Sequence, residues 1–137
     1  MNTAAQSLET FKMYIDGQWV DSASGEHFES DNPYTGRPWA LIPKGNAEDV
    51  DRAVRAAHRA FTEGEWPGMT ASQRGALLHR LGDAVAEQAE HLAQVEVRDN
   101  GKLIAEMGGQ LKYIPQWYYY FGGLADKIEG SVIPIDK

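Results

Sequence analysis

The pattern of the chain changes at Asn46, from short extended segments before it to helical segments after it. Before this residue, β-forming segments alternate with turn residues. After it, apolar residues recur every three or four positions up to about Asp126. No repeat, low-complexity tract or linker divides the chain. The order predicts one continuous unit, in which a hairpin and short strands precede four to five α-helices.

The extended half begins with a hairpin signal. Asp16-Gly17 lies between β-forming residues 13–15 and 19–20. Such a pair predicts a tight turn, because glycine accepts the positive φ that the turn requires. A second turn is expected at residues 32–36, where Pro33 fixes φ and Gly36 relaxes it. The other predicted extended segments are residues 27–30, residues 39–42 and a final short strand at residues 131–135.

Capping residues mark the first two helix starts. Asn46 can cap a helix that begins near Ala47. Thr70 followed by Gln73 matches the capping box, in which the cap and the third helical residue satisfy each other's free amides. We therefore expect two amphipathic helices over this part of the chain.

Glycines mark the helix ends in the last part of the chain. Asn100-Gly101 is a favourable C-terminal pair for a third helix. Gly108-Gly109 predicts a break between a short helix at residues 103–107 and a longer one that runs from Gln110 toward Asp126. Pro115 would then lie near the start of the longer helix, where proline is tolerated.

Composition excludes several function classes. The net charge of −7 with scattered basic residues argues against nucleic-acid binding. No apolar run approaches the roughly 20 residues that span a membrane. The absence of cysteine rules out disulfides and a cysteine nucleophile within these residues. A polar N-terminus without a signal peptide leads us to expect a cytoplasmic protein.

Motifs for a complete active site are missing from the sequence. It contains no G-x-G-x-x-G, no Walker loop and no H-E-x-x-H, and its four histidines are scattered. We therefore expect a chain without a complete active site of its own.

Asp99 is the carboxylate for which a compensating cation or hydrogen-bond donor is most expected. It stands at a predicted helix end, where the negative end of the helix dipole disfavours another negative charge. A cation or a hydrogen-bond donor could compensate for this position. A local hydrogen bond to the backbone or to Lys102 is the interpretation that the sequence alone favours, and a bound cation is the alternative.

An aromatic stretch covers more than one face of the last predicted helix, so some of its rings must face something other than one small core. One interpretation is packing in the core or between domains. The other is an apolar wall for a small organic ligand. The stretch comprises Tyr113, Trp117, Tyr118, Tyr119, Tyr120 and Phe121.

Six short motifs in order resemble the start of the aldehyde dehydrogenase superfamily, from about Phe11 to Lys137. Each motif alone is weak, but their order and spacing together are specific. They are Tyr14-Ile15-Asp16-Gly17-Gln18-Trp19, Asn32-Pro33-Tyr34-Thr35-Gly36, Glu48-Asp49-Val50-Asp51-Arg52-Ala53-Val54, Asp99-Asn100-Gly101-Lys102, Tyr120-Phe121-Gly122-Gly123-Leu124-Ala125-Asp126-Lys127 and Ile133-Pro134-Ile135-Asp136.

The resemblance implies an oxidoreductase that oxidises a small-molecule aldehyde to a carboxylic acid with NAD or NADP, through a cysteine thiohemiacetal and thioester. It also implies an α/β fold, of which this chain would be the amino-terminal portion within a larger cytoplasmic enzyme. Residues 11–137 would form the first, incomplete part of the NAD(P)-binding domain, wrapping a Rossmann-like domain that is mostly absent, after a flexible N-terminus at residues 1–10. The catalytic and cofactor-binding residues would follow Lys137, so none is assigned here and the chain alone is expected to be inactive. The family also implies a homo-oligomer, a dimer or a tetramer. The alternative is a non-catalytic interaction or scaffold module derived from the same fold.

Two sites carry over from the resemblance. Ser30, Asp31 and Asp99 match positions that bind a structural Na⁺ or K⁺ through carbonyl oxygens and a carboxylate. A second set matches a helix that borders the substrate tunnel, and its bulky rings favour an apolar or aromatic aldehyde over a charged one. This set comprises Gly109, Tyr113 and Trp117.

Overall fold

A computed structural model describes residues 8–135 of the chain. The strands of its first half are β1 (Glu9–Thr10), β2 (Met13–Ile15), β3 (Gln18–Val20), β4 (His27–Asn32) and β5 (Arg37–Pro43). This strand half contains a two-stranded hairpin of β2 and β3 and a three-stranded sheet in the order β1-β5-β4. In this sheet β1 is parallel to β5 and β4 is antiparallel to it.

The hairpin and the turn between β4 and β5 are confirmed. Asp16 and Gly17 both have positive φ, at 54° and 75°, as a two-residue turn between twisted strands requires. In the second turn the side chain of Asn32 accepts a hydrogen bond from the Tyr34 amide at 2.9 Å. The flexible N-terminus predicted for residues 1–10 is wrong for Glu9 and Thr10, which pair with β5. Residues 1–7 lie outside the described residues.

The helical half contains four α-helices and one short 3₁₀ turn in the described part of the chain, within the predicted range. The capping residues act as predicted: Asn46 accepts from the amides of Glu48 and Asp49, and Thr70 and Gln73 form a reciprocal box. The elements are α1 (Ala47–Thr62), the 3₁₀ turn (Trp66–Gly68), α2 (Ala71–Glu87), α3 (Ala89–Asn100) and α4 (Ile104–Leu124).

The predicted break at Gly108-Gly109 is wrong, because α4 runs unbroken through both glycines. A glycine in a helix interior costs only about 1 kcal/mol relative to alanine. Packing against α2 and α3 outweighs that cost, with Met107 only 1% exposed at the contact. Pro115 consequently lies in the middle of a 21-residue helix rather than near its start.

The predicted final strand at residues 131–135 is also wrong. These residues form no ladder with the rest of the described chain, and Val132 is 97% exposed. A strand needs a hydrogen-bonded neighbour to form, and an extended sequence pattern cannot supply one.

The strand half and the helical half meet at the C-terminal end of α3. Gly101 ends this helix with φ of 74°, and a side chain there would lie 3.1 Å from the ring of Pro33. The guanidinium of Arg98 lies 5.5 Å from the ring centre of Trp39 in β5. This contact places the last turn of α3 directly on the sheet.

Helices α2 and α4 cross through glycines. A Cβ atom at Gly75 would collide with the carbonyl oxygen of Gly122, and one at Gly82 would lie 2.6 Å from the ring of Tyr119. The two backbones therefore approach more closely than any larger residue would allow. This crossing determines which face of α4 remains exposed.

Candidate functional site

Ser30 and Asp99 are 69 positions apart in the sequence and meet in the fold. The Ser30 hydroxyl in β4 donates a hydrogen bond of 2.6 Å to Oδ1 of Asp99 in the last turn of α3. Both belong to the set inferred from the family resemblance. The structure therefore brings the carboxylate of this set to the edge of the sheet.

The basic side chains near Asp99 pair with other carboxylates. Lys102 lies 3.9 Å from Glu96, and its amide donates to Asn100 at 2.9 Å. Arg98 points over Trp39 and lies 3.8 Å from Glu9. Of the open interpretations for Asp99, the local hydrogen bond to Lys102 is wrong, since its recorded donor is Ser30.

Asp31 lies beside an irregularity in the ladder. The register shifts between Ser30 and Asp31, so that Asp31 stands opposite Pro38. Proline has no N–H group to donate across the ladder. The backbone around Asp31 is therefore less fully paired than a regular antiparallel strand.

The donor set at this edge consists of oxygens. A carboxylate, a hydroxyl and carbonyl groups of β4 suit a hard cation such as Na⁺ or K⁺ better than a soft metal. Within residues 8–135 no group of three His, Cys, Asp or Glu residues could hold a metal ion by side chains alone. Any cation here would depend on backbone carbonyls together with the Asp99 carboxylate.

Gly109, Tyr113 and Trp117 lie along one face of α4 at intervals of four residues. The rings of Tyr113 and Trp117 are 5.9 Å apart at an angle of 84°, an edge-to-face contact. Tyr113 is 59% exposed and Trp117 is 53% exposed. A side chain at Gly109 would meet no atom within 4 Å, so the surface one turn before Tyr113 is open at this position.

The opposite face of α4 is fastened to α2. The hydroxyl of Tyr119 donates to Asp83 at 2.8 Å, and the carbonyl of the same tyrosine lies 3.0 Å from Nε2 of His79. The Asp83 carboxylate, which accepts this hydrogen bond, raises the pKa of Tyr119. The prediction that the aromatic stretch covers more than one face is confirmed.

One buried carboxylate was missed by the sequence reasoning. Asp49 is 2% exposed and joins the N-terminus of α1 to the loop after β3. Hydrogen bonds, first that from Ser22 and then that from the Asn46 amide, lower the pKa of Asp49. The signal was present, because Asn46 and Asp49 have the spacing of a capping box. Ser22 could not be found in this way, since it is 27 positions away.

A groove between the hairpin and α1 encloses about 400 Å³. Its three arginines are each already paired with a carboxylate: Arg52 with Asp49, Arg55 with Asp51 and Arg59 with Asp16. These pairs leave little net charge to attract a ligand. The groove is lined by none of the candidate site residues.

Across the described residues, every helix is too short or too polar to serve as a membrane span.

Short strands followed by α-helices, which meet at the sheet edge beside Asp99, give the described residues an α/β fold. The model of the aldehyde dehydrogenase family matches residues 19–137. A curated relative, the (Z)-2-((N-methylformamido)methylene)-5-hydroxybutyrolactone dehydrogenase of Acinetobacter baylyi, is 48% identical over 95% of this chain and 26% of its own length. The chain belongs to the aldehyde dehydrogenase family.

Solved structures agree with this assignment. An NAD-dependent aldehyde dehydrogenase from Sinorhizobium meliloti matches 91% of this chain with a TM-score of 0.86 and 32% identity. A betaine aldehyde dehydrogenase from Staphylococcus aureus, in complex with NAD⁺, matches 90% with a TM-score of 0.83 and 39% identity. The chain covers 25% of each of these structures, so it spans about a quarter of the length of the proteins it matches.

Proposed function

We propose that this chain is the amino-terminal portion of an NAD(P)-dependent aldehyde dehydrogenase, with residues 11–137 forming the first part of its NAD(P)-binding domain. The observation that carries the proposal is the family match over residues 19–137, combined with coverage of only about a quarter of the relatives. The intact enzyme, meaning the full-length protein that carries this chain, converts an aldehyde to a carboxylic acid.

This chain contributes scaffold and no catalytic group. It contains no cysteine, so the nucleophile of the reaction lies in another part of the intact enzyme. NAD or NADP, when bound, accepts the hydride. The described residues do not suit that cofactor: Gly108 and Gly109 lie inside α4, and Gly122 is in contact with α2, whereas a phosphate loop joins a strand to a helix.

The amount of exposed apolar surface favours the proposal that this chain is part of a larger fold over the alternative of a self-contained module. Twenty large hydrophobic residues are exposed in the described part of the chain, and only five hydrophobic residues are buried. On α1 the outward face carries Val50, Val54 and Phe61, each at least 60% exposed. Typical monomers do not leave so much apolar surface in water.

The exposed face of α4 forms one wall of the substrate tunnel in this proposal. Tyr113 and Trp117 present aromatic surface, and Gly109 leaves room beside them. Because no charged side chain belongs to this set, the wall favours an apolar or aromatic aldehyde over a charged one.

The edge of the sheet at Ser30, Asp31 and Asp99 holds a structural Na⁺ or K⁺ in this proposal. The hydrogen bond from Ser30 places the Asp99 carboxylate beside β4, and the irregular ladder at Asp31 leaves backbone oxygens less fully paired. The cation would offset the unfavourable position of Asp99 at the C-terminal end of α3.

Two further expectations stay predictions. The intact enzyme is expected to be a homo-oligomer, a dimer or a tetramer, and to reside in the cytoplasm.

Cofactor reduction by the intact enzyme and by the isolated chain tests the proposal. We expect the intact enzyme to reduce NAD⁺ or NADP⁺ with benzaldehyde or propanal, and the purified 137-residue chain to show no turnover. We also expect the isolated chain to bind a hydrophobic dye. Reduction by the chain alone, or a dye-silent chain that unfolds cooperatively as a monomer, would overturn the proposal.

A further inference from the structure

The aromatic contacts on α4 continue beyond Trp117. The ring of Phe121 stacks on Trp117, with 6.5 Å between ring centres and 22° between planes. Tyr120 contacts Phe121 in turn, at 5.3 Å and 82°. From Gly109 to Phe121 this face extends over about 18 Å at the helical rise of about 1.5 Å per residue.

Trp117 is held from both sides along the helix. Tyr113 meets it edge-on one turn earlier, and Phe121 stacks against it one turn later. Residues four apart on a helix are surface neighbours, so these contacts restrict the rotamers that the indole can adopt. With Phe121 shortened, the indole would lose the stacked neighbour that orients it.

Phe121 is more exposed than Tyr119 and Gly122, through which α4 packs on α2. It is 54% exposed, whereas Gly122 beside it is buried against His79. The fastening contact between the helices is made by Tyr119 with Asp83. A change at Phe121 can therefore alter the wall without loosening the helix.

We propose that Phe121 is a positioning residue that orients the Trp117 ring toward the substrate. The inference rests on the proposed function, since it assumes that the face of α4 borders the aldehyde. The substrates concerned are aldehydes with a flat aromatic ring, which bind more tightly when the indole is held in one orientation. Short aliphatic aldehydes offer no ring to stack and gain little.

Steady-state kinetics of the intact enzyme test this role with two substrates, benzaldehyde and propanal. We expect Phe121→Leu to raise the KM for benzaldehyde about three- to ten-fold, the range that corresponds to loss of one aromatic contact. The KM for propanal and both kcat values should stay within about two-fold. Phe121→Tyr, which keeps the ring, should restore the benzaldehyde KM.

Phe61→Leu is the matched control, because Phe61 is also exposed but lies on α1. It should leave both KM values unchanged. An unchanged benzaldehyde KM in Phe121→Leu, or an equal rise for both substrates, would overturn the positioning role.

A spectroscopic readout separates this inference from the proposed function. Near-ultraviolet circular dichroism of the intact enzyme should change at the indole bands in Phe121→Leu. In a Trp117→Phe background the same substitution should cause no further change. An unaltered indole signal in an enzyme that oxidises aldehydes would overturn the positioning role and leave the proposed function standing. An enzyme that oxidises no aldehyde would contradict the proposed function, and the positioning role with it, whatever the indole signal shows.

Discussion

Two aspartates at opposite helix ends accept hydrogen bonds from serines of the strand half, yet their surroundings differ. Asp49 lies in the first turn of α1, where the helix dipole favours a negative charge, and is 2% exposed. Asp99 lies in the last turn of α3, where the dipole disfavours it, and is exposed.

The number of donors separates the two carboxylates further. Asp99 accepts one recorded side-chain hydrogen bond, from Ser30. Asp49 accepts from a whole set of donors around it. These are Ser22 Oγ at 2.7 Å, the Ala23 amide at 3.0 Å, the Asn46 amide at 3.1 Å and Arg52 Nη2 at 3.1 Å.

The difference teaches how to separate a structural carboxylate from one that can bind a ligand. A buried carboxylate that is saturated with protein donors has no lone pair to offer. An exposed one at an unfavourable helix end still needs a positive partner. Asp49 thus joins two parts of the fold, and Asp99 is the better candidate for a cation.

The largest expected effect follows from removing Asp49. Asp49→Ala removes the acceptor of the Ala23 and Asn46 amides and leaves the Ser22 hydroxyl only the Lys44 carbonyl, so several hydrogen bonds of this buried carboxylate are lost at once. We expect the thermal midpoint of the intact enzyme to fall by roughly 5 °C or more in scanning calorimetry. Asp51→Ala on the same helix is the control, since its exposed pair with Arg55 contributes little and should shift the midpoint by less than about 2 °C. Equal shifts for both variants would contradict the structural role assigned to Asp49.

The second-largest expected effect is a loss, at acidic pH, of the stability that Asp49 contributes. Because its pKa in the folded protein is below the ordinary value of 3.8, Asp49 stabilises the fold fully above that value. This stability is lost as the pH falls toward the lowered pKa. The difference in unfolding free energy between the wild type and Asp49→Asn should therefore shrink between about pH 6 and pH 3. A difference that stays constant over this range would contradict the assignment.

The smallest expected effect concerns Asp99. K⁺ should raise the thermal midpoint of the wild-type intact enzyme relative to a large organic cation, and Asp99→Ala should abolish this response, because the carboxylate is the only charged ligand proposed. Ser30→Ala keeps both the carboxylate and the main-chain carbonyl, so it should retain the response to K⁺. The cation proposal fails if the wild type and Asp99→Ala respond to K⁺ alike.

Local signals predicted much of the secondary structure. The hairpin at Asp16-Gly17, the caps at Asn46 and Thr70, and the end of α3 at Gly101 each depend on a few adjacent residues, and each is confirmed. Predictions failed where a local preference was weaker than packing. Gly108-Gly109 does not break α4, because neighbouring helices hold it.

Candidate site residues could be predicted only in part. The sequence pointed to Asp99 because a carboxylate at a helix end is conspicuous, and the family resemblance added Ser30 and Asp31. The sequence did not point to Asp49 as a buried carboxylate, since the loop that buries it comes from a distant segment.

By itself, the sequence determined the family, the order of strands before helices, the capping residues and the absence of a cysteine nucleophile from this chain. These properties depend on residue identity and on short-range backbone chemistry. Only the tertiary structure decided that Ser30 is the partner of Asp99 and that Trp117 faces outward while Tyr119 faces α2. Such contacts join residues tens of positions apart, and their geometry depends on how closely the backbones can approach, as at Gly75 and Gly122.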